Sequence, residues 1–279
     1  MLLTNRAIWT IERNLDRPLS LGDLASACEV SPFHLAHAFG EATGRSVMSY
    51  VRGRRLTVAA DALAGGAADI LALALATGYG SHEAFSRAFR AQFGATPEAV
   101  RRAGSTALLD SVPPLDMVEE GAADIASVRI EAAEPTAFVG LAGHFGFGAM
   151  QGIPALWQRF MQHYGEIENR TRSIPVGISH NIDADGDFDY LCAADVAIGT
   201  RAPTGLTLLE VPAQTYAVFQ HRGHVATIRS TYATIWNHWL PSSGRTAIDA
   251  PNLERHNPSF DTGTGLGGLE IWIPVAGGR

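Results

Sequence analysis

The chain has 279 residues, 46% of them hydrophobic and 18% charged, with a net charge of −7: an ordinary globular balance with room for two domains. No apolar run reaches the roughly 18 residues of a membrane span, and the start, "MLLTNRAIWTIERNL", lacks the apolar core and cleavage site of a signal peptide, so a cytoplasmic protein with no membrane partner is expected. The acidity argues against a nucleic-acid partner only until the chain is divided, because residues 1–107 hold 11 Arg against 9 Asp and Glu (+2) while residues 108–279 hold 10 against 19 (−9). There is no lysine, so every basic contact must come from arginine or a charged histidine. Cys28 and Cys192 lie far apart without metal-type spacing and read as reduced core residues.

In the first half, "SLGDLASACEV" starts a helix at Ser20 or Asp23 that bears Leu21, Leu24, Ala25 and Ala27, and a turn follows at Glu29-Val30. Ser31 then caps a second helix with Pro32 at its first position, where the missing N–H costs nothing. Leu35, Ala38 and Phe39, at i, i+3 and i+4, form one buried stripe; Phe33, His34, Ala36, His37 and Glu41 point elsewhere. "SVMSYVRGRRLTVAADAL" reads as one helix of about 18 residues, roughly 27 Å long. The phrase "SPFHLAHAFGEATG" at 31–44 then returns fifty positions later as "SHEAFSRAFRAQFG". Ile70, Leu71, Ala74 and Leu75 make a first helix, "TGYGS" a turn, and Ser81 caps a helix burying Phe85, Ala88 and Phe89, with His82, Glu83, Ser86, Arg87 and Arg90 outside.

Two short helices joined by a tight turn, the second with a polar face, describe a helix-turn-helix. A solenoid or plain helical bundle would also repeat helix pairs. The long strut separates these readings, because it can set two recognition helices about one DNA turn apart, near 34 Å, with Arg52, Arg54 and Arg55 close to passing phosphates. "LSLGDLASACEVSPFHLAHAFGEATGRSVMSYVRGRRLTVAADAL" followed by "ILALALATGYGSHEAFSRAFRAQFGATPEAVRR" resembles the AraC/XylS-type DNA-binding domain over residues 4–104. That resemblance implies recognition helices in successive major grooves of duplex DNA. Phe33, Ala36 and His37 carry over as groove residues of the first, and His82, Glu83 and Arg87 of the second. With their neighbours, the expected DNA-facing set is Phe33, His34, Ala36, His37, Arg52, Arg55, Ser81, His82, Glu83, Arg87 and Arg90. Rob-like members have glutamine then arginine where this chain has Ala36 and His37, so base contacts from the first helix should be weaker. Arg87 keeps the bidentate fork for guanine. A His37 imidazole near phosphates should hold its proton more readily than in water.

"GSTALLDSVPPLDMVEEGAAD" is poorly periodic and gives a linker, 108–125, between a DNA-binding domain at 1–107 and a second domain at 126–279. There "SVRIEAAEPTAFVGLAGHF" gives one or two strands, and "IPALWQRFMQHYGEI" a helix with Ile153, Leu156, Trp157, Phe160 and Met161 on one face. "IPVGISHN" and "FDYLCAADVAI" follow as strands. The order recurs: "LTLLEVPAQTYAVFQHRG" as strand, "HVATIRSTYATIWNHWLP" as helix with Ile228, Tyr232, Ile235, Trp236 and Trp239, then "NLERHN" and "LEIWIPV" as strands. Two β-α-β-β units make an α+β domain with helices on an antiparallel sheet, beside the all-α first domain.

The segments "GIPALWQRF", "FDYLCAADV", "VPAQTYAVFQHRG", "IRSTYATIWNHWLPSSG", "DAPNLERHNPSFD" and "LEIWIPV" resemble, in order, the GyrI-like effector-binding domain over about 126–275. The resemblance implies binding of amphipathic, often cationic compounds between the two repeats, against aromatics and a buried glutamate. By motif position the glutamate is Glu254 or Glu270, and the walls are Trp157, Tyr190 and Trp272. Trp236 and Trp239 read as core packing. Glu270, between apolar Leu269 and Ile271, could equally face solvent, and the polar neighbours of Glu254 weaken its claim to burial.

No cofactor is implied. "HRGH" at 221–224 lacks a cysteine or carboxylate partner for a metal, "DADGDFD" at 183–189 lacks the closing glutamate of a calcium loop, and "DTGTGLGG" has no helix behind it to hold phosphate. Together the halves are expected to form a regulator of the Rob-like type that binds DNA and a small-molecule effector, with RNA polymerase as a further partner. The alternatives are a hydrolase using Glu254 or Glu270 with Tyr190, and an architectural DNA binder without ligand.

Overall fold

The computed structural model describes residues 1–117, 123, 125, 127–183 and 185–276, so part of the expected linker (118–122 and 124) lies outside the described residues, as do 126, 184 and 277–279. Residues 3–103 form α1 (Leu3–Glu12), α2 (Leu21–Ala27), α3 (Pro32–Thr43), α4 (Val47–Ala64), α5 (Ile70–Ala76), α6 (His82–Phe93) and α7 (Pro97–Ala103). Local chemistry sets these ends. Ser20 and Asp23 close a capping box on α2, while Ser31 and Ser81 accept the backbone N–H of His34 and Ala84, both at 3.1 Å. α3 and α6 both stop at a left-handed glycine, Gly44 and Gly94. The helix pairs α2–α3 and α5–α6 are thus the repeated unit, and α4 is the 18-residue strut between them.

The second half contains β1 (Val128–Ala133), β2 (Thr136–Gly146), α8 (Ile153–His163), β3 (Val176–His180), β4 (Asp187–Val196), β5 (Thr207–Val211) and β6 (Gln214–His221). Next come α9 (Ile228–Thr234), β7 (Thr246–Ala247), β8 (Asn252–His256) and β9 (Leu269–Ala276). A π-helical turn, Ile235–Trp239, prolongs α9. The strands lie in the order β1-β6-β9-β8-β3-β4-β2-β5, with β7 against the end of β9. Each repeat keeps three strands together and lends its first to the other, β1 pairing with β6 and β5 with β2. The leading stretch of each repeat splits in two beside a proline, Pro135 and Pro212, which cannot donate to a ladder. Antiparallel β3 and β8 meet at the centre, joining the repeats.

Alternation along the strands sorts side chains to two faces. Tyr190, Cys192 and Ala194 of β4 pack under Leu156 and Phe160 of α8; Ile271 and Ile273 of β9 pack under Tyr232, Ile235 and Trp236. The other face, with Leu191, Ala193, Leu253 and Trp272, carries no helix among the described residues.

The two halves are not bundled alike. The core of the first helix-turn-helix, including Leu24, Leu35, Phe39 and Tyr50, runs without a break into Phe219, Trp236 and Ile271 of the sheet domain. The second unit keeps a core of its own around Leu56, Leu63, Phe85 and Phe89. The start of the linker is held against α4, where Val112 N–H donates to Thr57 Oγ1 at 2.9 Å and its carbonyl accepts from Arg54 Nη1 at 2.8 Å.

Candidate effector groove and DNA-facing helices

On the helix-covered face, Glu254 of β8 stands opposite Gly177 of β3. Tyr190 Oη donates to Glu254 Oε2 at 2.6 Å, and Tyr232 Oη of α9 donates to Oε1 at 3.0 Å. A Cβ at position 177 would run into the Tyr190 hydroxyl, so glycine is what lets the phenol lie across β3. Burial pushes the Glu254 carboxyl above its ordinary range even though both phenols act to lower it, and burial likewise pushes both tyrosines well up. Trp157 of α8 packs edge-on to His256, at 5.4 Å between centroids, beside the same strand. This is a desolvated carboxyl among aromatic rings, with two hydroxyl partners and no basic side chain bonded to it among the described residues. It can hold a cation that sheds its water, or take up a proton.

Glu270 and Trp272 do not share that face. On β9 they lie one step out of phase with Ile271, and the register sets Glu270 beside Arg255 on the open side. Glu270 accepts from Arg129 Nη2 (2.7 Å), Gln220 Nε2 (2.7 Å) and Trp272 Nε1 (2.9 Å). Burial acts upward on its pKa, but Arg129 and the other donors hold it below its ordinary value. Its negative charge is already answered. The five expected ligand residues therefore divide, with Trp157, Tyr190 and Glu254 together and Glu270 with Trp272 across the sheet. The polar neighbours that weaken the claim of Glu254 to burial do not keep it in water: its strand pairs on both sides, Tyr232 of α9 bonds it, and the side chain is half-buried and desolvated. The open face holds a basin of about 450 Å³ with Phe138, Tyr216 and Trp272 in its lining and Arg255 on the buried Asp195 at 2.8 Å.

The expected DNA-facing residues also divide. On α6, Glu83, Arg87 and Arg90 are exposed, Ser81 serves as the cap, and His82 pairs with Glu98 at 3.2 Å. On α3, His34, Ala36 and His37 are buried and Phe33 is half-buried, against the sheet domain. The His37 ring stacks on the Trp236 indole, 4.2 Å between centroids and 6° from parallel, and Phe33 meets that indole edge-on. His34 Nε2 donates to the Trp236 carbonyl at 2.7 Å. In this arrangement His37 faces no phosphate, and burial pushes its pKa down to about 3, opposite in sign to the sequence expectation. Of the strut arginines, Arg52 is exposed and bonds Asp185 at 2.6 Å, and Arg55 holds the Leu15 and Arg17 carbonyls after α1. Arg54 is buried on Glu12 at 2.9 Å.

Sequence reasoning missed four participants. Tyr232 and Trp236 were visible only as part of an apolar helical stripe. Glu41 of α3 is buried beside Arg229 of α9 (3.6 Å), and burial outweighs that guanidinium, lifting Glu41 from 4.5 to about 8. Asn237 ties the halves, its Oδ1 accepting from Thr4 N–H at 3.0 Å and its Nδ2 donating to the Ala38 carbonyl at 3.0 Å. The π-turn that carries Trp236 and Asn237 is a register shift common at functional sites, and residue spacing alone does not announce it.

No helix among the described residues is long and apolar enough to cross a membrane, and no group of three or more His, Cys, Asp or Glu among them is placed to hold a metal. Residues 126–276 match the model of the GyrI-like small molecule binding domain, and residues 24–103 match a helix-turn-helix domain. The transcriptional regulator Rob of Salmonella typhimurium is 27% identical over 277 residues, covering 95% of this chain and 93% of that protein. The transcriptional regulator BrlR of Pseudomonas aeruginosa is 32% identical over 118 residues, 42% of this chain and 43% of that one. The structure of SAV2435 bound to tetraphenylphosphonium aligns with a TM-score of 0.46 at 21% identity, over 54% of this chain and 94% of that one. The chain belongs to the family of the GyrI-like small molecule binding domain, which it joins to an AraC-type helix-turn-helix domain as a DNA-binding transcription regulator of the Rob-like type.

Proposed function

We propose that the sheet domain, bounded at about residue 126, senses an amphipathic organic cation, and that residues 1–107 carry the response to DNA and RNA polymerase. The chain acts in the cytoplasm, where its DNA is, and works by binding without turnover. One observation carries this reading: Glu254, desolvated between the hydroxyls of Tyr190 and Tyr232, has no basic side chain bonded to it among the described residues. A desolvated carboxylate gains most from a cation that is itself weakly hydrated and aromatic. Trp157, Tyr190 and Glu254 form the binding set, and Glu270 with Trp272 forms a structural pair on Arg129.

Titration calorimetry of the full chain with tetraphenylphosphonium and with neutral triphenylphosphine oxide tests this. Glu254→Gln should weaken the cation tenfold or more, about 1.4 kcal/mol, and the neutral compound less. Glu270→Gln should leave both unchanged. Equal cation affinity in wild type and Glu254→Gln would remove the reading. A hydrolytic reading also has geometry behind it, since a carboxyl shifted upward beside a phenol suits a general base. Turnover of a reactive electrophile that disappears in Glu254→Gln would establish that instead.

A further inference from the structure

The first recognition helix has two working faces. Leu35, Ala38 and Phe39 belong to the core of its own unit, while Phe33, His37 and Glu41, spaced i, i+4, i+8, lie along the opposite side. That opposite stripe is pressed into the sheet domain beside the Glu254 site. Phe33, His37 and Glu41 line one cavity with Ser179 of β3, Phe188 of β4 and Asn252 of β8. Asn252 and Ser179 are paired neighbours two residues along from Glu254 and Gly177, on the same face of the sheet. The phenyl ring of Phe147 lies so near Gly40 that a Cβ there would strike it. Arg229 closes the far end of α3, its Nη2 donating to the carbonyls of Gly40 (3.0 Å) and Glu41 (3.3 Å).

Two magnitudes decide what this contact does. The shared cavity is about 20 Å³, room for one water, whereas pockets for drug-sized ligands run from roughly 300 Å³ upward. A helix with its side chains is also about as wide as a major groove, so α3 cannot enter DNA with its reading face covered. We propose that α3 is the intramolecular occupant of the effector groove, so that the sheet domain holds the first recognition helix off DNA until an effector displaces it.

This rests on the reading of the groove as the effector site, and it adds the direction of the response. Cation and DNA both bind the form in which α3 is withdrawn, so each raises the affinity for the other by the same factor. A ligand small enough to leave α3 seated would not.

Arg229 offers a test that spares the Glu254 site and the reading face of α6, since it lies on α9 and, among the described residues, bonds the end of α3. In the full chain, Arg229→Glu removes the clamp and leaves a carboxylate that cannot donate to the α3 carbonyls; Arg229→Ala removes the clamp alone and serves if the first variant does not fold. Affinity for a duplex enriched from a random pool by the wild-type chain is read by fluorescence anisotropy, with and without tetraphenylphosphonium, and α3 protection by hydrogen exchange. Both variants should bind the duplex at least fivefold more tightly than wild type, with α3 less protected and the enhancement by the cation reduced. Unchanged or weaker DNA binding in both variants overturns the proposal. If the cation has no effect on any protein but the variants still bind DNA more tightly, occlusion by α3 stands and the cation reading alone fails.

Discussion

Replacing Glu41 by Gln separates two opposed accounts of the joint between the halves. The side chain is only 9% exposed, with Arg229 at 3.6 Å, and burial lifts its pKa from 4.5 to about 8. The folded protein therefore holds a proton that the unfolded chain releases above pH 4.5, so Glu41 weakens folding progressively from pH 4.5 to 8 and no further beyond. At pH 7 that cost is about 3–4 kcal/mol, from roughly 2.5 pH units at about 1.4 kcal/mol each. Glutamine copies the neutral carboxyl and does not titrate. Glu41→Gln should thus match wild type near pH 4.5 and be the more stable by about 2–4 kcal/mol at pH 7. The other groups at this joint are Arg229 and Tyr232 of α9, Glu254 of β8, His34 and His37 of α3, and His180 of β3. Glu254 is shifted upward and adds a slope of the same sign; His37, pushed down to about 3, removes stability as pH falls below 6.5. Both remain in the variant, so the difference between the two proteins isolates Glu41. Urea unfolding of the full chain from pH 4.5 to 8.5, followed by tryptophan fluorescence, measures it. If Glu41→Gln is less stable than wild type, most of all at neutral pH, then Glu41 is an ionised partner of Arg229 and the burial argument is wrong.

Trp236→Ala should cost about 3–5 kcal/mol, because the indole is fully buried between α3 and the sheet, and a calorimetric scan should show the loss as a lower melting temperature. Gly177→Ala should cost about 1–3 kcal/mol by forcing Tyr190 off Glu254; cation titration should fall with it, and wild-type affinity would show that the phenol is dispensable. Arg87→Ala, on the exposed face of α6, should lose about 1–3 kcal/mol of preference at one base pair in a competition binding assay. A uniform loss across sequences would make Arg87 a phosphate contact instead.

Both helix-turn-helix units and the strut were legible because their signals are local: serine caps, a proline at the first helical position, terminal glycines and a 3.6-residue stripe repeated at a fixed offset. The second half was legible as strands and helices in order. The division of each leading stretch into two strands, and the exchange of the first between repeats, were not, since pairing partners are set by distant backbone. The glutamate question shows the same limit. Glu254 and Glu270 both sit beside apolar residues on strands, and alternation states only that each faces one side. Which side has helices over it, and where Arg129 lies, are facts of three-dimensional packing. The polar surroundings of "NLERHN" pointed the wrong way, because Asn252 and Arg255 are themselves buried or half-buried by partners that the sequence does not name.

Ala36 and His37 follow from the same geometry. Long, branching polar side chains at these positions would reach base edges, but they would also hold a helix away from an indole, since their polar ends would need partners inside an apolar contact. A methyl group and a flat ring allow close approach, and His37 lies 4.2 Å from Trp236 as a result. The histidine stays uncharged there, and its Nδ1 finds no hydrogen-bond partner among the described residues. That unmet group costs something in the closed form and costs nothing once α3 is withdrawn into water or onto DNA. The contact is therefore held by apolar area from Phe33, Phe147 and Trp236 and opposed by the buried polar groups of His37 and Glu41. Opposing contributions of this kind leave a small net preference, which an effector that binds only the open form can reverse, since at about a hundred times its dissociation constant it shifts the balance by about 2.7 kcal/mol. α6 belongs to a unit with a separate core and leaves Glu83, Arg87 and Arg90 exposed, so under the occlusion we propose it would supply DNA affinity in both forms while α3 would supply the part that changes.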